Sequence, residues 1–293
     1  RDRSRKPGHP WMRLDLGLDP GKVEKRYRVV DELDFLLISG DAYVDHPSFG
    51  HAIISRCLES RGYRVGIVAQ PDWRSTKDFE RMGRPRLGVM VAAGNMDSML
   101  NHYTASGKKR RSDNYTPGGK TGMRPDRATV VYCNRVRELW KDIPLVIGGI
   151  EASLRRMAHY DYWSDSVRRS ILADSRADLL VFGMGELASA AIAKALAEGA
   201  DVTSIRDIPG TCWKTHRPES AADAAVLPSF DEVSSDKTAF ASAFKRFYIE
   251  QDSFRGSRLI QNQGAWHVVQ NRPSRPLSQG EMDAVYSYPY TGT

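Results

Sequence analysis

Residues 143–154 read IPLVIGGIEASL. Pro144–Ile147 is a short apolar run with no polar alternation, the pattern of a strand covered on both faces. It stops at Gly148–Gly149, where the backbone is free to approach a ligand or a neighbouring helix. Four more runs of this kind flank it: Asp34–Ser39 (DFLLIS), Arg64–Ala69 (RVGIVA), Leu87–Ala93 (LGVMVAA) and Asp178–Phe182 (DLLVF). Between them the spacing predicts helices over 49–61, 76–82, 95–104, 127–141 and 186–198, the last ending at Gly199, a residue suited to a left-handed cap. Strand–helix alternation across 30–200 predicts an α/β domain, a doubly wound and mainly parallel five-stranded sheet of Rossmann or flavodoxin type.

The pattern changes after residue 200. Asp236–Gln251 reads as an amphipathic helix with Phe240, Phe244, Phe247 and Tyr248 on its apolar face. RLIQNQGAWHVVQN (258–271) reads as two strands around an Asn262–Gln263–Gly264 turn. Ser278–Glu281 opens a last helix with a capping box. The organisation expected is therefore a basic tail over 1–29, the Rossmann-like domain over 30–200 and a smaller α+β appendage over 201–293.

The 293 residues carry a net charge of +7, unevenly spread. Residues 1–28 hold nine Lys/Arg against four Asp/Glu, and 105–128 hold seven against two. The remainder is slightly acidic, which argues against nucleic acid as the partner of the whole surface while leaving both basic segments able to touch phosphates. No stretch has the apolar length of a membrane span and the first residues lack a signal-peptide core, so a cytoplasmic protein with no membrane partner is expected. Cys57, Cys133 and Cys212 are far apart and form no metal-binding spacing, so buried thiols are expected and no metal ligand is assigned.

Parallel sheets bind ligands beyond the carboxyl ends of their strands. Asp41, Asp45 and His46 follow the first run, Asn95 and Asp97 the third, Gly148, Gly149 and Glu151 the fourth, and Gly183, Gly185 and Glu186 the fifth. These are the candidate ligand-binding residues; none is assigned a catalytic role. Each has a structural alternative: Asp45–Ser48 has the composition of a turn that caps a helix, and Glu151 with Arg155, or Asp165 with Arg168 or Arg169, has ion-pair spacing. Salt bridges alone do not account for RRMAHYDYWSDSVRRS (155–170). Arg155, Arg156, His159, Tyr160, Trp163, Arg168 and Arg169 have the composition of an anion pocket or a docking interface.

GDAYVDHPSFG, VGIVAQPDW, AGNMDSM, YTPGGKTGMRPDRATVVY and IGGIEASLRRMAHYDYWSDSVRRSIL, with LPSFDEV (227–233) and PLSQGEMDAVYSYPY (276–290), resemble the amino-terminal region of the YgiQ family of radical S-adenosylmethionine proteins. The resemblance runs from about residue 30 to about 290. It implies an amino-terminal Rossmann-like domain followed by a radical-SAM barrel, whose CxxxCxxC holds a [4Fe–4S] cluster and leaves one iron for S-adenosylmethionine. This chain has no CxxxCxxC, and its last residues, YTGT, drift from the family pattern. The resemblance thus implies a fragment without the barrel, inactive alone, whose partners are that barrel and a small-molecule or macromolecular substrate of unknown identity. The α/β part is also similar, more loosely, to cobalamin-binding-like domains, in which a Gly-Gly follows the fourth strand and a GxGE the fifth. Their cobalt-ligating DxHxxG is not met, because Asp45 and His46 are adjacent. A His-off cobalamin mode or a vestigial fold stays open. Two other functions compete: a stand-alone module binding nucleic acid or other anions through the tail and Lys108–Arg111, and a nucleotide-dependent oxidoreductase. The latter lacks a GxGxxG after the first strand.

Overall fold

Strand-length apolar runs and short polar exits build one sheet. The computed structural model describes residues 12–15 and 32–292. All five predicted strands form, as β2 (Phe35–Ser39), β3 (Val65–Ala69), β4 (Gly88–Ala92), β5 (Leu145–Gly148) and β8 (Leu179–Val181). They lie parallel in the order β3-β2-β4-β5-β8, the doubly wound arrangement. The sequential order reverses between β2 and β4, which opens a crevice at their carboxyl ends.

The sheet is larger than the five strands expected. Among the described residues it has ten strands, with β1 (Met12–Asp15) parallel to β3 at one edge. At the other edge β9 (Thr211–Thr215), β12 (His267–Gln270), β11 (Leu259–Asn262) and β10 (Ala225–Val226) follow β8 in space. The pairs β8–β9, β9–β12 and β12–β11 are antiparallel, whereas β11 and β10 run parallel. Residues beyond 200 therefore extend the sheet directly. The predicted 258–271 hairpin is β11–β12. The tail over 1–29 lies outside the described residues apart from β1.

Each sheet face buries alternate residues of the same strands. Leu36, Ile38, Val89, Val91, Leu145 and Ile147 pack with Tyr132, Cys133 and Val136 of α4 (Ala128–Leu139). Phe35, Leu37, Met90 and Val146 pack on the opposite face with Leu58 of α1 (Gly50–Glu59) and Ile192 of α7 (Glu186–Ala197). The tail strands feed both layers, with Cys212, Leu259 and Val268 in the first and Trp213, Ile260 and Val269 in the second. Of the shorter helices, α2 (Lys77–Glu80) follows β3, α3 (Ser98–His102) follows β4, α5 (Gly149–Leu154) follows β5, and α6 (Ile171–Asp174) precedes β8.

Residues 155–170 are not one helix. Beyond α5 they turn into the hairpin β6 (His159–Asp161) and β7 (Ser166–Arg168). After β10 come α8 (Phe230–Ser235) and α9 (Lys237–Ile249), capped by Ser229 and Asp236. The apolar face expected of α9 is only partly covered: Phe247 packs against the core, while Phe244 and Tyr248 are 57% and 69% exposed. The capping box at Ser278 and Glu281 opens α10 (Gln279–Tyr286) as expected.

Candidate functional site

Beyond the carboxyl ends of β4, β5 and β8 lies a cavity of about 240 Å³, walled on one side by α1. Met90, Val146 and Val181 from the strands, with Ile53 and Ile54 from α1, make it largely apolar. Gly148–Gly149 and Gly183–Gly185 form its backbone rim. Gly149 is left-handed (φ 79°), and an added Cβ would sit 3.1 Å from Ala92 Cβ, so the turn out of β5 needs glycine. Six of the predicted residues meet here: Asn95, Gly148, Gly149, Gly183, Gly185 and Glu186.

Two polar side chains give the cavity direction. Glu186 begins α7, is 6% exposed, and its Oε2 has no hydrogen-bond partner. His51 was not anticipated from sequence. Its Nε2 lies 3.2 Å from the Ile38 carbonyl oxygen and donates to it. Burial holds its pKa down at about 4, so the ring is neutral and Nδ1 remains as an acceptor. A carboxylate and an imidazole acceptor beside an apolar wall suit a flat or apolar group carrying N–H or O–H donors.

The other acidic candidates spend their oxygens inside the protein. Asp41 sits at the β2–β4 crevice, 2.7 Å from Arg124 Nη1, and accepts from Asn95 N at 2.6 Å. Gly94 permits this approach, since a Cβ there would fall 2.1 Å from Asp41 Oδ1. Burial raises the Asp41 pKa despite Arg124. Asp45 pairs with Arg56 and accepts from Tyr43 Oη at 3.2 Å and Thr291 N at 3.0 Å. Asp97 caps α3 through Met99 N and Leu100 N, and it pairs with Arg155. Glu151 accepts from Ser98 N (2.8 Å), Ser98 Oγ (2.5 Å) and Thr129 N (3.0 Å), tying α5 to the starts of α3 and α4. The Glu151–Arg155 side-chain pair allowed by spacing is thus replaced by Arg155–Asp97, because α5 ends at Leu154.

His46 is exposed, and its Nδ1 accepts from Ser48 N at 3.1 Å. That bond places the ring proton on Nε2, so these residues do not fit a His-ligated cobalamin. Nor do the thiols fit an iron–sulfur cluster: Cys57, Cys133 and Cys212 are buried, and burial raises each pKa, that of Cys212 to about 12. No group of three or more His, Cys, Asp or Glu among the described residues is placed to hold a metal.

In the 155–170 segment, Arg156 is buried between the rings of Phe182 and Phe247, at 4.5 and 4.1 Å, and donates from Nε to Gln270 Oε1 at 2.8 Å. Desolvation lowers its pKa to about 10. It is a core strut between α9 and the sheet. His159 is kept neutral by burial, with a pKa of about 4. Trp163 meets Tyr103 at a tilt and Tyr162 edge to face, with ring centroids 5.4 and 5.3 Å away. Arg168 reaches Asp174 at 3.3 Å and Asp161 at 3.6 Å, while Asp165 accepts from Tyr160 Oη rather than from an arginine. Arg169 lies 5.4 Å over Phe230. Tyr160 remains exposed beside Leu154 and Phe244, at a second cavity of about 330 Å³. In the basic loop, Arg124 is enclosed by Asp41 and Asp113, Arg127 pairs with Asp161, and Arg110 donates to the Leu100 and Tyr103 carbonyls.

Fold and cavity together define a doubly wound α/β domain with a ligand-sized recess at its strand ends. The chain belongs to the radical SAM N-terminal family, whose model matches residues 19–293. It is 54% identical over 272 residues to a UPF0313 protein of Clostridium botulinum (strain ATCC 19397 / Type A), covering 93% of this chain and 42% of that protein. A UPF0313 protein of Clostridium perfringens (strain ATCC 13124) is 57% identical over 264 residues, covering 90% of this chain and 40% of that one. The chain therefore spans about two fifths of the length of these curated relatives. No solved structure matches. No helix among the described residues is long and apolar enough to cross a membrane.

Proposed function

We propose that this chain is the accessory region of a radical S-adenosylmethionine enzyme and holds a small ligand, substrate or second cofactor, in the recess at the ends of β4, β5 and β8. The observation that carries the reading is the nearly buried Glu186, whose Oε2 has no hydrogen-bond partner among the described residues, in an otherwise apolar cavity. A buried acceptor without a donor is costly, and a ligand N–H or O–H removes the cost. The cluster and S-adenosylmethionine belong to the remainder of the longer protein, where thiolates would hold the iron; the buried cysteines here take no part in that chemistry. The exposed apolar groups Leu154, Tyr160 and Phe244 form the face against which that remainder docks.

The test uses a full-length relative, reconstituted anaerobically with iron and sulfide. Cluster absorbance and S-adenosylmethionine cleavage are expected, with a metabolite co-purifying from wild type and lost from the Glu186→Gln and Ile54→Trp variants. An intact cluster with no cleavage under any condition overturns the enzymatic half. Identical small-molecule content in wild type and variants, read by native mass spectrometry, overturns the recess. The fragment alone is expected to bind a hydrophobic dye at the Leu154–Tyr160–Phe244 face, and an absence of dye binding counts against docking there.

A further inference from the structure

A third cavity, of about 480 Å³, lies under the 105–126 loop and shares no residue with the recess at Glu186. Its walls bring together Trp73 and Arg74 after β3, His102 at the end of α3, and Lys109, Arg110 and Arg124 from the loop. Three of these residues carry buried nitrogens without a hydrogen-bond partner among the described residues: Trp73 Nε1, Arg124 Nε and His102 Nε2. The cause differs in each. The two Nη atoms of Arg124 are used on Asp41, Asp113 and the Ala93 carbonyl, so its Nε–H is left over. His102 is oriented from behind, with Nδ1 2.7 Å from Asp126 Oδ1, and Asp126 also accepts from Tyr103 Oη at 2.7 Å. The Nδ1 proton therefore faces the carboxylate and Nε2 faces away from it. Trp73 offers an indole N–H, which only donates.

With Asn101 Nδ2, which also lines the cavity, four of the thirteen buried side-chain atoms without a partner among the described residues gather at this one place, whereas buried polar atoms are nearly always paired. The four cations of the walls, Arg74, Lys109, Arg110 and Arg124, meet Asp113 and Asp126 there and Asp72 and Asp41 beside Arg74 and Arg124, so open donors rather than net charge mark the site. We propose that this cavity is an anion site, taking a phosphate or carboxylate group whose oxygens accept from Trp73 Nε1 and Arg124 Nε, with Lys109, exposed near Asp126, adding positive charge. His102 Nε2 accepts from a protonated ligand oxygen. The basic character of 105–128 then serves a small oxyanion, with Arg124 building the floor and Lys109 standing at the mouth.

Calorimetric titration of the 293-residue chain with pyrophosphate and with citrate, at low and moderate salt, tests this. Saturable one-to-one binding of at least one is expected, weakening with salt. The two anions separate the sources: preference for pyrophosphate identifies a phosphate ligand, and preference for citrate a carboxylate. Trp73→Phe keeps the ring and removes the N–H, and is expected to weaken binding about fivefold, the worth of one hydrogen bond. Lys109→Ala, which removes an exposed side chain, is expected to weaken it by a similar or larger factor. Lys194→Ala, on the exposed face of α7, leaves it unchanged. Failure of both anions to bind, or binding indifferent to Trp73→Phe and Lys109→Ala, overturns the proposal.

Discussion

Arg124 stands between two buried carboxylates, Asp41 at 2.7 Å and Asp113 at 3.0 Å, with its side chain fully enclosed. Replacing it by Met keeps most of the volume and strands two acids in a dry site, where a broken buried pair costs roughly 3–5 kcal/mol. Urea unfolding of Arg124→Met is therefore expected to lose that much, and a loss below about 1 kcal/mol would show the cluster to be open to water. His51 yields a pH prediction. Its folded pKa of about 4 lies below the ordinary 6.5, so the unfolded chain takes up a proton first. Stability is lost as pH falls from about 6.5 toward about 4, and none is lost above that window. At about pH 5 one such ring costs on the order of 2 kcal/mol. Glu59, pushed up to about 7 by burial, acts in the opposite sense, so the comparison belongs between variants. The stability drop between about pH 7.5 and 5 is expected to shrink by that amount in His51→Gln; an equal drop in both proteins refutes the neutral buried ring.

The β6–β7 hairpin shows how elements borrow order from one another. Its own strands are three residues each, too short to stand alone. Asp161 fixes it: burial works to raise this carboxyl, yet Arg127 and Ser164 bring it down to about 2. Tyr162 Oη donates to the Ala105 carbonyl at 2.6 Å, and Trp163 lies against Tyr103. Asp161→Ala is expected to speed amide exchange in both 103–127 and 159–168 while β2, β4 and β5 keep their protection. Faster exchange in the hairpin alone would mean that the loop is held independently. This coupling was not legible in the sequence, where Asp161 is one acid among several and its partner lies 34 residues away. The parallel strands were legible because burial on both faces leaves an unbroken apolar run. Strand β9, TCWKT, was not, since its two apolar residues are adjacent and flanked by polar ones, and only pairing with β8 and β12 makes it a strand. The recess was half legible: glycines and Glu186 announce themselves at strand ends, whereas His51 and Ile54 look like any helical residues until α1 is folded against the sheet.

At the scale of the molecule, what matters is that the sheet does not stop at β8. An isolated five-stranded domain over 30–200 would bare the β8 edge, whose Leu179 and Leu180 pair with Trp213 and Cys212. It would also uncover core contributed by Leu259, Val268 and Val269 on the two faces. Arg156 would lose both Phe247 and Gln270, leaving a guanidinium in an apolar gap. The carboxyl-terminal end closes the unit again, because Asp45 accepts from Thr291 N at 3.0 Å and its carbonyl from Gly292 N at 3.0 Å, beside α1 and hence beside the recess. The chain is therefore expected to unfold in a single cooperative transition that includes residues beyond 200. Truncation after residue 200 should give an aggregating or molten product with no sharp thermal transition. A soluble 30–200 fragment melting as cooperatively as the whole chain would show instead that the added strands are a dispensable appendage. In the intact chain, Asp45→Ala tests the closure from the other end. Freed from the 291–292 backbone, the last residues are expected to become protease-sensitive at unchanged sheet protection, and Arg56, left with Glu59 as its one carboxylate partner, should lower the unfolding free energy by roughly 1–3 kcal/mol.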